Sequence, residues 1–184
     1  MDASLSISAK DIIAPIELTL LKRHYAFDFN DDSWDIRFTL EKPRAYIIVI
    51  MAVVGLFQLA SRKTIFGTIS LACAFFAVFA YIAGAKRYNL VNIGVEKLTI
   101  TPGGITEYLE KNNGTRQYMT HQITSIFTKC LSNGNHFLIS VNLLDTYGDD
   151  HAMITFKSKN PAEEQLLAVN IAMAIKSSIG FEGV

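Results

Sequence analysis

Between Ala45 and Ala85 charge almost disappears: Arg62 and Lys63 are the only charged residues, and they separate two apolar runs. The first run, AYIIVIMAVVGLFQLAS, is about 17 residues long and the second, TIFGTISLACAFFAVFAYIAGA, about 22, which suits a hydrocarbon core of roughly 30 Å at 1.5 Å rise per residue. This pattern predicts a two-helix transmembrane hairpin, residues 44–87, with spans at about 45–61 and 64–85. Lys42 and Arg44 before the first run, Arg62 and Lys63 in the turn, and Lys86 and Arg87 after the second fall where membrane-boundary cations belong. The larger share of basic residues on the side of the termini places both termini in the cytoplasm. An apolar run that starts so far into the chain and has a second behind it is not read as a signal peptide.

Helices associate in lipid by close approach of small residues. Gly55 on the first helix, and Cys73 with Ala77 and Ala80 with Gly84 on the second, are the candidate packing positions, for the hairpin itself or for another copy of the chain. Gln58 is the one strongly polar side chain well inside a span, and no charged residue lies mid-helix, which argues against a transporter, proton relay or redox protein.

Outside the hairpin the period changes. In an N-terminal arm, residues 1–43, Ile12, Ile13, Ile16, Leu20 and Leu21 line a short helix that starts near Asp11 and holds Pro15 in its first turn. Tyr25, Phe27 and Phe29, the turn Asn30 to Ser33, then Trp34, Ile36, Phe38 and Leu40 alternate as a β-hairpin. Its aromatic side needs cover from the membrane surface, the later domain or a partner. Residues 88–184 read as a β-domain: Leu98 and Ile100, Ile105 to Glu110, Thr115 to Thr120, Ile123 to Cys130, His136 to Leu144 and His151 to Lys157 give six short antiparallel strands, with Tyr88 to Val95 as a further one. A closing helix is capped by Asn160, opened by Pro161 and ended by Gly180, with Leu167, Ile171 and Ile175 on a buried face and Leu166 and Met173 beside them.

The stretches VEKLTITPGGI at Val95 to Ile105, HQITSIFTK at His121 to Lys129, and AMITFKSKNPAEEQLLAVNIAMAI carry a resemblance in element order. Two membrane helices followed by such strands and one helix resemble bacterial membrane proteins with a pleckstrin-homology-like (PH-like) domain. The resemblance implies an α+β domain built as an antiparallel barrel of six to seven strands capped by the C-terminal helix, an inner-membrane location, and a binding or assembly role. The chain departs from lipid-headgroup binders at Pro102-Gly103-Gly104, where clustered Lys and Arg would stand.

Candidate chemistry is sparse. Basic and acidic residues balance at 17 each, and the extramembrane parts are mildly acidic, so nothing marks a nucleic-acid surface. Cys73 in a span and Cys130 outside it do not suit a disulfide. Asp28, Asp31, Asp32 and Asp35 lack the glycine and distal glutamate of a calcium loop and read as turn chemistry, as does Asn113-Gly114-Thr115 despite matching a glycosylation acceptor. His24, His121, His136 and His151 have no metal-ligand spacing, so no metal and no cofactor is expected. Ser125, Cys130 and His136 make a conceivable nucleophile and base, but a cysteine in a strand is expected to be a small buried side chain. The reading is a non-enzymatic integral membrane protein whose β-domain binds a protein partner, a small ligand or another copy, in one mode by strand addition at an open edge. The alternative is a small membrane effector of a defence or toxin system, or an immunity protein.

Overall fold

The structure, a computed structural model, describes residues 8–40, 44–91, 94–110 and 114–181. The chain divides into two compact units: Met1–Thr39 with Val91–Val184, and Leu40–Leu90.

The first unit is α+β. Strands β1 (Tyr25–Phe29), β2 (Trp34–Phe38), β3 (Val95–Thr101), β4 (Gly104–Leu109) and β5 (Thr115–Met119) form an antiparallel sheet in that order, and β6 (Ile123–Asn133), β7 (His136–Asp145) and β8 (Asp150–Ser158) form a second. The expected barrel of six to seven strands is thus replaced by sheets of five and three with no closure. The residues Thr120–Gln122 between β5 and β6 turn as a 3-10 helix, and this interrupts the ladder, leaving β5 paired with β4 and β6 with β7. Gly104 fixes the turn before β4: its φ is +149°, and a Cβ there would lie 2.1 Å from the Tyr118 carbonyl oxygen.

The N-terminal hairpin belongs to this unit. Across the whole intervening helical segment β2 pairs with β3, Trp34 opposite Ile100 and Ile36 opposite Leu98. Its aromatic side is covered by the later strands: Tyr25, Trp34 and Ile36 share one buried cluster with Ile139, Phe156 and Ile171. The Tyr25 ring meets Phe156 at 5.3 Å, and its hydroxyl donates to the Thr155 carbonyl at 2.9 Å and accepts from the Thr155 N–H at 3.1 Å.

Helix α5 (Pro161–Ser178) begins as its sequence predicts, with the Asn160 side chain accepting from Ala162 N–H. Its buried face is Glu164, Leu167, Ala168, Ile171 and Ile175, at spacings of three and four. Leu166 and Met173 are exposed, at 62% and 51%, because they lie about 160° and 180° around the helix from Glu164, at the centre of the buried face. The N-terminal helix also differs from expectation. It starts at Ala9 under a Ser8 cap and breaks at Pro15 into α1 (Ala9–Ile13), a 3-10 turn (Ala14–Ile16) and α2 (Glu17–Lys22), since proline cannot donate within a continuous helix.

Helix α2 ends in the run Lys22-Arg23-His24. His24 takes φ +69° and turns the chain from α2 into β1, which aims Arg23 at α5. The Arg23 guanidinium sits 2.5 Å from Glu164, whose side chain is 1% exposed. Removing one member of a buried pair strands the other charge. Arg23→Ala should therefore cost about 2 kcal/mol at pH 7, reduced from the usual 3–5 by the exposure of the arginine, and Arg23→Met with Glu164→Leu should recover most of it; chemical unfolding of the three proteins is the check.

The second unit is a pair of helices, α3 (Tyr46–Ala60) and α4 (Thr64–Val91). Helix α4 holds one stretch, Thr64–Lys86, with the length and mean hydropathy, 2.2, of a membrane span. At 15 residues, or about 22 Å, α3 is shorter than a standard span, so the expectation of two matched spans is not met by length. Helix α4 also runs on through Tyr88–Val91, where a strand was expected, and β3 begins only at Val95.

Candidate functional site

Three regions bear on function, the first being the surface of the helical unit. Arg62 at φ +61° reverses the chain, and Lys63 N–H bonds back to Gln58 O at 2.9 Å. The helices then pack through glycines. A Cβ on Gly55 would meet Leu71 Cγ at 3.0 Å, and one on Gly67 would meet Leu59 Cγ at 2.5 Å and Leu59 N at 2.9 Å. Ser70 Oγ donates to Gln58 Oε1 at 3.1 Å, so the one strongly polar intramembrane candidate is satisfied inside the pair. Of the sequence-derived packing residues, Gly55 is buried in this seam, Ala77 and Gly84 are half-buried, and Cys73 and Ala80 face outward. The four-residue pairs Cys73–Ala77 and Ala80–Gly84 thereby lie at the margin of the seam, with one member of each exposed. Gly67 and Ala74 are seam residues that spacing at four missed; spacing at seven from Gly67 through Ala74 to Tyr81 carries the signal. Arg44, Arg62, Lys63 and Lys86 are exposed, Arg87 lies in α4, and Lys42 lies outside the described residues.

Outward, the pair is apolar: Ile50, Val53, Phe57, Ile65, Phe66, Phe76 and Phe79 are each more than half exposed.

The second region is a polar cluster within the α+β unit. Ile105 and Glu107 share a face of β4, opposite Tyr118 and Arg116 on β5, which carries Glu107 into the interior. Glu107 is 1% exposed, Arg116 Nη1 approaches its Oε2 only to 4.0 Å, and Oε1 has no hydrogen-bond partner. Burial pushes its carboxyl above the ordinary range, against the opposing charges of Arg116 and His151. The Tyr118 ring packs on His151 at 5.1 Å. His151 Nε2 lies 3.1 Å from Asp145 Oδ2, while Asp145 Oδ1 accepts from the N–H groups of Tyr147 and Asp149. The N–H of Asp149, offset in part by burial and helped by His151 and Tyr147, holds the Asp145 carboxyl below its usual range. One donor atom each from Asp145, Asp149 and His151 lies within 4.8 Å of the others, and His151 is the one histidine in the group. The turn amides and the imidazole already employ both Asp145 oxygens, which accounts for the grouping without an ion.

Ser125, Cys130 and His136 are not brought together by any hydrogen bond, and Cys130 is exposed instead of buried because it lies in the outer half of the edge strand β6. Of the four N-terminal aspartates, Asp28 pairs with Arg37, and Asp35 with Lys97 at 2.8 Å, Arg37 at 3.5 Å and Thr99 at 2.7 Å. Burial would raise the Asp35 carboxyl, but Lys97, Thr99 and Arg37 outweigh it and hold it low.

The third region is a cleft of about 460 Å³ at the end of the five-stranded sheet. The turn Asn30 to Ser33, Phe29, Trp34, Thr101, Lys10 and Ser178 line it, so α1, both sheet turns and the end of α5 meet there. Trp34 Nε1 donates to Ser178 Oγ at 2.8 Å, and Phe29 stacks on Trp34 at 5.4 Å and 14°.

Comparison with known protein-family models and with curated proteins finds no match.

Two outcomes follow from this geometry. With Cys73 and Cys130 replaced by serine, cysteines at Gln58 and Ser70 should cross-link readily, and Gly67→Val should lower that yield several-fold by forcing the helices apart at Leu59. Glu107→Gln removes a carboxyl whose folded pKa exceeds its unfolded one. The penalty it relieves is present above the folded pKa and absent below the unfolded one, so thermal unfolding should show the variant more stable than the parent at pH 7, with the gain fading toward pH 4.

Proposed function

We propose that the chain is a non-enzymatic integral membrane protein, anchored by α3 and α4 in an inner (cytoplasmic) membrane, whose α+β unit is a PH-like module that binds a protein partner, a small ligand or another copy on the cytoplasmic side. The observation that carries this reading is the outward surface of the helical pair: large apolar side chains from Ile47 to Ile82 stand exposed with no charge among them except at the turn. Lipid tails satisfy such a surface where water does not. On this reading α4 is the full span. Helix α3 packs beside it, and Arg44, Arg62 and Lys63 extend its reach by snorkelling to the interface. The basic excess on the termini side supports the orientation. The two sheets with a closing helix support the PH-like assignment. A binding role is supported by polar groups that, among the described residues, pair with each other, as Asp145 does with His151 and Asp35 with Lys97, and assemble no nucleophile with its base.

Alkaline carbonate washing should leave the full chain in the membrane pellet. In a background of Cys73→Ser and Cys130→Ser, Arg62→Cys should react with an impermeant maleimide in intact spheroplasts, and Tyr147→Cys only after the membrane is opened. Release by carbonate, or labelling of both sites from one side, contradicts the proposal.

A further inference from the structure

We propose that Asp145 at the end of β7, Asp149 and His151 at the start of β8, and the buried Glu107 of β4 together bind one divalent transition-metal ion. This goes beyond the binding role proposed above and stands on the α+β unit alone, so failed membrane insertion and failed ion binding are read by different measurements.

Geometry decides first. Two ligand atoms that sit about 2.1 Å from one ion and about 100° apart are about 3.2 Å from each other. His151 Nε2 and Asp145 Oδ2 stand 3.1 Å apart, so an ion can take the place of the proton between them with little movement. The amides of Tyr147 and Asp149 hold Asp145 Oδ1 and so fix the direction of Oδ2, the part that outer hydrogen bonds play for a carboxylate ligand. An Asp149 oxygen lies within 4.8 Å of a donor atom on each, and as an exposed turn side chain it closes that gap by rotation.

The turn amides and the imidazole explain why Asp145 and His151 meet, but they leave two other carboxylates unanswered. The Asp149 carboxylate takes part in no hydrogen bond or ion pair among the described residues. Glu107 is 1% exposed, its Oε1 has no partner, and Arg116 comes no nearer than 4.0 Å to its other oxygen. On the inner face of the β4–β5 ladder Glu107 is the diagonal neighbour of Tyr118, and the Tyr118 ring lies on His151 at 5.1 Å, which puts the orphaned carboxyl on the side of the imidazole. The charge of His151 acts on it there. A buried acid without a partner is costly, and a cation is what relieves it.

Charge and ligand type decide the ion. With the imidazole neutral, Glu107, Asp145 and Asp149 oppose the single guanidinium of Arg116, an imbalance that a dication cancels. Asp150 does not add to it, because Lys129 and Asn142 hold its two oxygens. One imidazole nitrogen among carboxylate oxygens suits zinc or manganese, whereas calcium and magnesium take oxygen ligands. The bound ion ties the β7–β8 turn to the five-stranded sheet.

The full chain, freed of metal and of any affinity tag, is placed in phosphatidylcholine nanodiscs and titrated calorimetrically at pH 7 with Zn²⁺, with Mn²⁺ and with Mg²⁺. The expected result is one equivalent of Zn²⁺ or Mn²⁺ bound with micromolar or tighter affinity, at least tenfold tighter than Mg²⁺. Affinity should fall at least tenfold in His151→Gln, in Asp149→Ala and in Glu107→Gln, and stay unchanged in His121→Gln and His136→Gln. No saturable binding of either ion, which leaves Glu107 Oε1 to water alone, overturns the proposal. So does equal affinity for Mg²⁺, an unaltered affinity in any of the first three variants, or a loss in either of the last two. Asp149→Ala changes an exposed turn residue and Glu107→Gln removes a buried charge, so both keep the fold, and unchanged circular dichroism confirms it.

Discussion

The constraint on which everything else depends is that the helical pair has more apolar surface than it has protein to cover it. Gly55, Gly67 and Ala74 make a narrow seam, and a narrow seam leaves most of each helix facing outward. Sixteen large apolar side chains between Tyr46 and Ile82 are more than a third exposed among the described residues. At about 1 kcal/mol each for half-exposed groups, leaving them in water forfeits on the order of 15 kcal/mol, as much as the whole net stability of a domain. That magnitude is why lipid is the medium proposed for them.

The α+β unit solves a different problem, the pairing of segments that the helices separate in sequence. β2 and β3 are neighbours in the sheet, so helices α3 and α4 are an insertion into the sequence of a folded unit and not an appendage at its end. The long-range pairing is reinforced by chemistry at the same strands: Asp35 on β2 binds Lys97 on β3, and Trp34 reaches Ser178 on α5. Arg23 with Glu164 ties the N-terminal helix to the other end of α5. These contacts join segments distant in sequence, and because Asp35 and Glu164 are themselves buried, each depends on the cation that pairs with it.

Local features were legible in the sequence. β1 and β2 fall on the alternating residues Tyr25 to Phe29 and Trp34 to Phe38, and α5 begins at Pro161 under Asn160, because alternation, turn residues and caps are written within a few positions. Non-local features were not. Nothing in the sequence around Trp34 states that Ile100 will lie opposite, and whether the strands close into a barrel depends on the three residues Thr120–Gln122. The burial of Glu107 and Glu164 is not written locally for another reason: an acid in a strand or a first helical turn is ordinarily solvated. Their positions nonetheless carried a signal, since Glu107 alternates with Ile105 and Leu109, and Glu164 precedes Leu167, Ala168 and Ile171 at helical spacing. Cys130 was misjudged because burial of a strand residue depends on what covers that part of an edge strand. In the cleft, Asp31 and Asp32 were legible as turn residues, but their meeting with Lys10 and Ser178 was not.

Nitroxides placed one at a time at Val53, Phe66 and Phe79, on the cysteine-free chain in lipid nanodiscs, test the central claim most directly. Power-saturation measurements that compare collision with oxygen and with a water-soluble nickel chelate report whether each site is bathed in hydrocarbon or in water. The account predicts high oxygen and low nickel accessibility at all three sites, with a nitroxide at Tyr147 showing the reverse. Nickel accessibility at Val53, Phe66 and Phe79 equal to that at Tyr147 would contradict it.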